Sequence, residues 1–444
     1  MASNESASPD RASWSGKWAF ILAGAASAVG LGNMWRFPYL AAKFGGGTFL
    51  LTYLVLVATF GLSLLLLETA LGRHTRQSVI GAFSHFGKKY IWIGILAAVV
   101  PFIITPYYCI IGGWVTKYMV AYITNGPAAL ADGGTFFTGF ISSNVESYVW
   151  MLIFMALVFF VVALGVQGGI EKANRIMMPA LIVMAVAIAI FTMTMPGALD
   201  GVAYYLVPDF SKFSPDLVIN ALGQMFYSLS LAMGIMVTYG SYMRRKDSLP
   251  NSVANIAGFD FGVSFLAGLM IVPAAYVAMG SAETVAAKAG PSLMFITLPT
   301  VFQQMPMGRL FAAFFFLSVL FAGLTSLINM FEAVSESWQT HFKLGRKTAV
   351  AICSALTIGV GIFMESEARV GAWMDFITIQ VVPIGAVLGA ISIYYVLGWS
   401  KLRKELETGR QKPLSRAFGP VGKYVYVPLT ILVVILGFVF HGIG

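Results

Sequence analysis

Gly30-Leu31-Gly32-Asn33 and Ser228-Leu229-Ser230-Leu231-Ala232-Met233-Gly234 each stand near the middle of a long apolar run, and the reading of these two stretches decides the fold. Glycine in an apolar helix has an ordinary use, since helices in lipid pack closely through small residues. The other reading is that both helices unwind here, freeing carbonyls and amides at mid-depth. A bilayer tolerates that only where the freed groups line a cavity. Interruptions at matching places in two halves of a chain point to a binding site between the halves.

Working outward, the chain has 444 residues, 58% hydrophobic and 11% charged, with mean hydropathy +0.81. Soluble domains run near 45–50% apolar and about 25% charged, so a soluble enzyme, a disordered chain and a collagen-like fibre are excluded. Apolar runs fall near 17–40, 46–71, 90–123, 146–165, 176–196, 216–243, 251–280, 308–340, 348–364, 373–399 and 422–441, eleven in all. They predict an all-α polytopic membrane protein of eleven transmembrane helices, each of ~20 residues. The organisation expected is a cytoplasmic segment 1–16, two inverted five-helix repeats at 17–200 and 210–400, a basic cytoplasmic loop 401–421, and an extra helix 422–444.

The net charge of +9 is concentrated in short loops, with bases such as Arg73, Lys88, Arg175, Arg244, Arg346, Lys404 and Arg416 on one side. Acids such as Asp132, Glu146, Asp209 and Glu283 collect on the other. That asymmetry puts the N-terminus inside and accounts for the basic character without nucleic acid. Outside lie 124–145 and 281–307, the second interrupted by prolines and suited to a lid of short helices. Cys109 and Cys353 fall inside apolar runs and read as packing residues rather than a disulfide. The polar first residues do not form a cleavable signal peptide.

The stretch Ser27-Ala-Val-Gly-Leu-Gly-Asn-Met-Trp-Arg-Phe-Pro-Tyr39, followed by Gly45-Gly-Gly, resembles the first-helix signature of the neurotransmitter:sodium symporter family. Gln224-Met-Phe-Tyr-Ser-Leu-Ser-Leu231 is similar to the family's sixth helix and Phe321-Ala-Gly-Leu-Thr-Ser326 to its eighth. Similar text covers the chain from about Arg11, and eleven spans rather than twelve is similar to many bacterial members. The resemblance implies a sodium-coupled importer of a small neutral amino acid, in a bacterial inner membrane, as a monomer or weak homodimer.

It also implies roles residue by residue. One sodium takes the Ala28 carbonyl, the Asn33 and Ser228 side chains, a group on the seventh span and the substrate carboxylate. A second takes carbonyls of Ala26, Val29 and Ala322 with the hydroxyls of Thr325 and Ser326. Amides near Leu31 and Gly32 and the Tyr108 hydroxyl hold the substrate carboxylate, and carbonyls around Tyr227 and Ser230 hold its amine. Ile104, Tyr108, Tyr227, Met233, Ser326 and Met330 line the side-chain pocket, whose apolar character selects an aliphatic or aromatic side chain. Arg36 and Asp375 match the family's outer gate pair, and Arg11, Trp14 and Tyr242 its inner gate. The acid expected to complete the inner gate is replaced by Thr340, with Glu336 about a turn earlier.

Tyr53, Gln224, Ser228 and Ser264 match the family's chloride cluster. Asp260 lies one turn before Ser264, where chloride-independent members carry a fixed carboxylate, so chloride is expected to be dispensable. Charges within spans are costly and mark function, but for Glu68 the preferred reading is a buried acid bonded to the backbone of a broken helix. Gly169 and Pro179 resemble a family motif that lets the fifth helix unwind, or else mark a fixed kink. A channel would need a repeated pore-lining ring and an intramembrane enzyme a catalytic constellation; neither is visible in the sequence.

Overall fold

A computed structural model of the chain describes residues 13–126, 130, 132–288, 293–304, 306–364, 366–410, 413–416 and 418–439. Among the described residues all regular elements are helical. Among the described residues eight helices are long and apolar enough to cross a membrane: Gly47–Thr75, Lys88–Thr124, Val145–Ala163, Val166–Met193, Leu249–Met279, Gly308–Phe342, Ala368–Glu407 and Gly419–Leu436. The pair Lys17–Ala28 and Gly32–Lys43, bent by 50°, makes a ninth.

The two other apolar runs are helical but in shorter pieces. The run at 216–243 is divided into Pro215–Ser228 and Ile235–Ser241. The run at 348–364 is the 16-residue helix Arg346–Gly361, about 24 Å long against a hydrocarbon core of ~30 Å. Between spans, 124–145 carries helix Gly133–Ser142, and 281–307 carries Ala282–Lys288 and Leu298–Gln304. The tenth helix outlasts its apolar run. Its continuation Trp399–Glu407 buries Leu402 and Leu406 while Lys401 and Lys404 face outward. An amphipathic turn thus replaces the loop that hydropathy suggested.

Burial sorts the spans into an interior and a rim. In Gly308–Phe342 and Lys88–Thr124, which pack along each other, 72% and 67% of the apolar window is buried. In Val145–Ala163 the share is 33%, and its exposed leucines and phenylalanines are what a lipid-facing helix presents.

Both glycine-bearing stretches are interrupted as expected. The first helix ends at Ala28, Val29 is extended, and the chain resumes in a widened π-turn, Gly32–Arg36. In the sixth span the break covers 229–234, with Ser230 and Ala232 in left-handed conformation at φ 52° and 62°. For a residue with a β-carbon that conformation costs roughly 1–2 kcal/mol, so something must hold it. Part of the answer is Glu68: its Oε1 accepts the Ala232 amide at 2.7 Å, satisfying a donor that the helix has released. Gly234, at φ 66°, then restarts the helix, and a β-carbon there would meet Val79 at 2.9 Å.

Replacing Glu68 with alanine should strand the Ala232 amide in a dry interior and destabilise the fold by about 1–3 kcal/mol. Glu68→Gln, which keeps an acceptor oxygen, should lose much less. Thermal unfolding of the two variants in detergent measures the difference; equal losses would remove the carboxyl–amide bond from the account.

Candidate functional site

The two breaks meet at one backbone carbonyl. Ser27 O accepts the Ser230 hydroxyl at 3.0 Å and the Ser326 hydroxyl at 3.3 Å, joining the first, sixth and eighth spans. From the third span, the Tyr108 hydroxyl accepts the Leu31 amide at 2.8 Å. Close approach explains the glycines: a β-carbon on Gly30 would lie 2.5 Å from Tyr108 Oη, and one on Gly32 would lie 2.8 Å from the Tyr227 ring. Ala28, Ile104, Met233 and Met330 belong to the same continuous buried core. Tyr227 is fixed by Tyr107, whose hydroxyl donates to its hydroxyl at 3.0 Å. Tyr107 was missed in the sequence, although a Tyr-Tyr doublet on a helix sends two phenols about 100° apart.

The first break also changes which carbonyls are free. In a continuous helix the Gly30 amide would bond Ala26 O and the Asn33 amide Val29 O. Here the Gly30 amide donates to Asn33 Oδ1 at 2.9 Å, and the Asn33 amide to Gly30 O at 3.1 Å. Ala26 O and Val29 O therefore lose their helical donors. Across from them in sequence terms, Thr325 Oγ1 donates back to Phe321 O at 2.8 Å, which leaves its lone pairs as acceptors. Ala322 beside it is buried.

Oxygen atoms crowd around Asn33 Nδ2. Asp260 Oδ1 lies at 2.7 Å, Ser264 Oγ at 2.8 Å, Ser228 Oγ at 2.9 Å and Asp260 O at 3.2 Å. An amide nitrogen has two protons, so four acceptors leave lone pairs unused, as suits a hard cation. Asp260 is fully buried and also accepts Ser228 Oγ at 2.5 Å and Tyr53 Oη at 3.1 Å. Tyr53, Ser228, Ser264 and Asp260 are thus brought together with Asn33. Gln224 is placed differently: it accepts from Arg36 Nη1 and donates to Gly32 O, both at 3.0 Å.

Arg36 is buried, with its guanidinium carbon 6.0 Å from the Tyr227 ring centre. Its Nε and Nη2 have no partner among the described residues; the side chain of Asp375 lies outside them, as does Arg11. On the other side Trp14 forms a plug. Its Nε1 donates to Tyr239 O at 3.1 Å and its amide to Tyr242 O at 3.3 Å. Its ring stands edge-on to those two rings at 5.0 and 5.8 Å. Beneath it Tyr242 donates to Glu332 at 2.9 Å, and buried Glu332 is ion-paired with Arg346. Glu332 lies in the eighth span but before Thr340, where the acid was sought. Its partner comes from the next helix, so local spacing held no signal. Glu336 accepts from Thr340 at 3.1 Å.

Residues 11–129 and 141–441 match the model of the sodium:neurotransmitter symporter family. An uncharacterized sodium-dependent transporter of Bacillus subtilis, YhdH, is 33% identical over 96% of this chain and 97% of its own length. The sodium- and chloride-dependent creatine transporter 1 of Oryctolagus cuniculus is 29% identical over 81% of this chain and 66% of its own. Among solved structures, MhsT in complex with L-phenylalanine superposes with a TM-score of 0.86 at 31% identity, covering 96% of this chain and all of that one.

Proposed function

The chain belongs to the sodium:neurotransmitter symporter family, and from that membership we propose a sodium-coupled importer of neutral hydrophobic L-amino acids, aliphatic or aromatic, that works by alternating access. The observation that carries the reading is the convergence of Asn33, Ser228, Ser264 and Tyr53 on Asp260 beside a broken first helix. In this reading the repeats are 17–200 and 210–400, the N-terminus is cytoplasmic, and the membrane is a bacterial inner membrane. The chain has no catalytic role.

The first sodium sits among Asn33, Ser228, Asp260 and the Ala28 carbonyl, completed by the substrate carboxylate. The second uses Ala26, Val29 and Ala322 carbonyls with the hydroxyls of Thr325 and Ser326. Support comes from the released carbonyls of Ala26 and Val29, since helix ends offer carbonyls suited to cations. The substrate carboxylate takes the place of the bond between the Leu31 amide and Tyr108, and its amine meets carbonyls near Tyr227 and Ser230. Because the carboxylate and the first sodium complete one another's site, each raises the other's affinity. The apolar pocket of Ile104, Met233 and Met330 favours a large side chain, in keeping with the phenylalanine bound by MhsT. The creatine transporter among the relatives keeps a second reading open, another small zwitterion or amine. Uptake into vesicles, with and without a sodium gradient, against a panel of amino acids, creatine and amines separates the two. Uptake of charged or amine substrates alone would end the first reading.

Asn33→Ala and Thr325→Val should each raise the sodium concentration for half-maximal uptake by about tenfold or more, the equivalent of ~1.4 kcal/mol. Unchanged sodium dependence in both would remove these residues from the ion sites.

Two sodium ions and a zwitterion bring two positive charges into a poorly solvated centre, where uncompensated charge is expensive. While sodium is bound, Asp260 supplies one negative charge from the chain itself. Transport should therefore run equally well in chloride and in gluconate, and Asp260→Asn should be slow in gluconate and improved by chloride. A wild type that needs chloride, or a neutral variant indifferent to it, would refute this balance. When sodium leaves, the bare carboxylate can take a proton for the return.

A further inference from the structure

The second, tenth and eleventh spans enclose a crevice of about 450 Å³ that the transport site does not use, lined by Val55, Phe60, Tyr394, Gly422, Tyr426 and Leu429. Val55, Val425 and Leu429 are exposed along it, so on membrane-crossing helices its mouth faces lipid. All three walls are deformed at this level by a π-turn: Val57–Gly61, Ser392–Gly398 and Gly422–Tyr426. Such turns are rare and collect at functional sites.

Two further features point to a ligand. Tyr394 and Tyr426 are buried, and their hydroxyls have no hydrogen-bond partner among the described residues. The Tyr394 hydroxyl reaches the eleventh helix so closely that a β-carbon on Gly422 would lie 1.9 Å from it. Unpaired hydroxyls at membrane depth are costly, and water is not there to relieve them. The second feature is charge. Lys423, next to Gly422, holds its Nζ 4.9 Å from the Tyr395 ring centre and 5.4 Å from that of Tyr424. Lys401, Lys404 and Arg416 are exposed in the same cytoplasmic segment. The acids of that segment are engaged elsewhere, Glu405 with Arg73 and Glu407 with Arg403. Lys423 therefore sets a positive charge, which the described residues leave unneutralised, beside the Gly422 end of the crevice.

We propose that this crevice is a binding site for an anionic diacyl phospholipid of the inner leaflet. An acyl chain fills the apolar part against Val55, Phe60 and Leu429. Glycerol-ester oxygens accept from the tyrosine hydroxyls, and the phosphate lies beside Lys423. A second copy of the chain fits worse, because a two-fold contact sets the same patch against itself and would bring the cations of both copies together.

The test is native mass spectrometry of the full chain purified from vesicles of phosphatidylglycerol and phosphatidylethanolamine in equal amounts. The wild type should retain phosphatidylglycerol preferentially. Lys423→Gln should reduce that preference by about fivefold, the worth of one cation near an anionic surface. Val425→Trp, which fills the mouth, should abolish retention of both lipids; sodium-dependent substrate binding reports that the variants are folded. Equal retention of the two lipids by the wild type overturns the proposal whatever the variants do. So does retention unchanged in both variants, or a dimer that Val425→Trp dissociates.

Discussion

A backbone amide or carbonyl released inside a bilayer has no water to turn to, and the centre of this molecule is arranged around that constraint. Breaking the first and sixth helices frees polar groups that no single segment can satisfy. They are met instead by groups from other spans: Glu68 for the Ala232 amide, Tyr108 for the Leu31 amide, Ser230 and Ser326 for the Ser27 carbonyl. Each break is tolerable only because the other elements stand where they do, which makes the site a property of the whole bundle.

Electrostatics adds a second requirement. Asp260 is buried without a basic partner among the groups it contacts, surrounded by neutral donors from Asn33, Ser228 and Tyr53. Such a carboxylate is held in place by hydrogen bonds. By contrast Glu332 has a basic partner in Arg346 and also accepts from Tyr242. Two buried acids within one membrane protein thus differ in kind: one has a resident countercharge and the other is held by neutral donors.

Much of this was legible in the sequence. Long apolar runs gave the spans, and two glycine-bearing interruptions gave the breaks. The Asp260 cluster followed from motif resemblance, since Tyr53, Ser228 and Ser264 are distant in the chain. What escaped notice depended on contacts without local periodicity. Gln224 turned to Arg36 and Gly32 because those groups share the π-turn opposite it. Arg346 reached Glu332 from a neighbouring helix, and Tyr107 was hidden beside the more prominent Tyr108. The tenth helix ran past its apolar end because a hydropathy window averages away a one-sided pattern such as Leu402 and Leu406.

The Trp14 plug has a bearing on how such a closure can drift over generations. Its two hydrogen bonds end on the main-chain carbonyls of Tyr239 and Tyr242, atoms that every residue type supplies. The tryptophan is therefore held by main chain, whereas the side chains at 239 and 242 are held for other reasons, their hydroxyls donating to buried Asn329 and Glu332. Phenylalanine at either position would keep the acceptor for Trp14 but leave Asn329 or Glu332 short of a donor. The Trp14 hydrogen bonds can therefore survive changes at 239 and 242 that the groups beneath them cannot, an asymmetry that arises from using backbone as the acceptor.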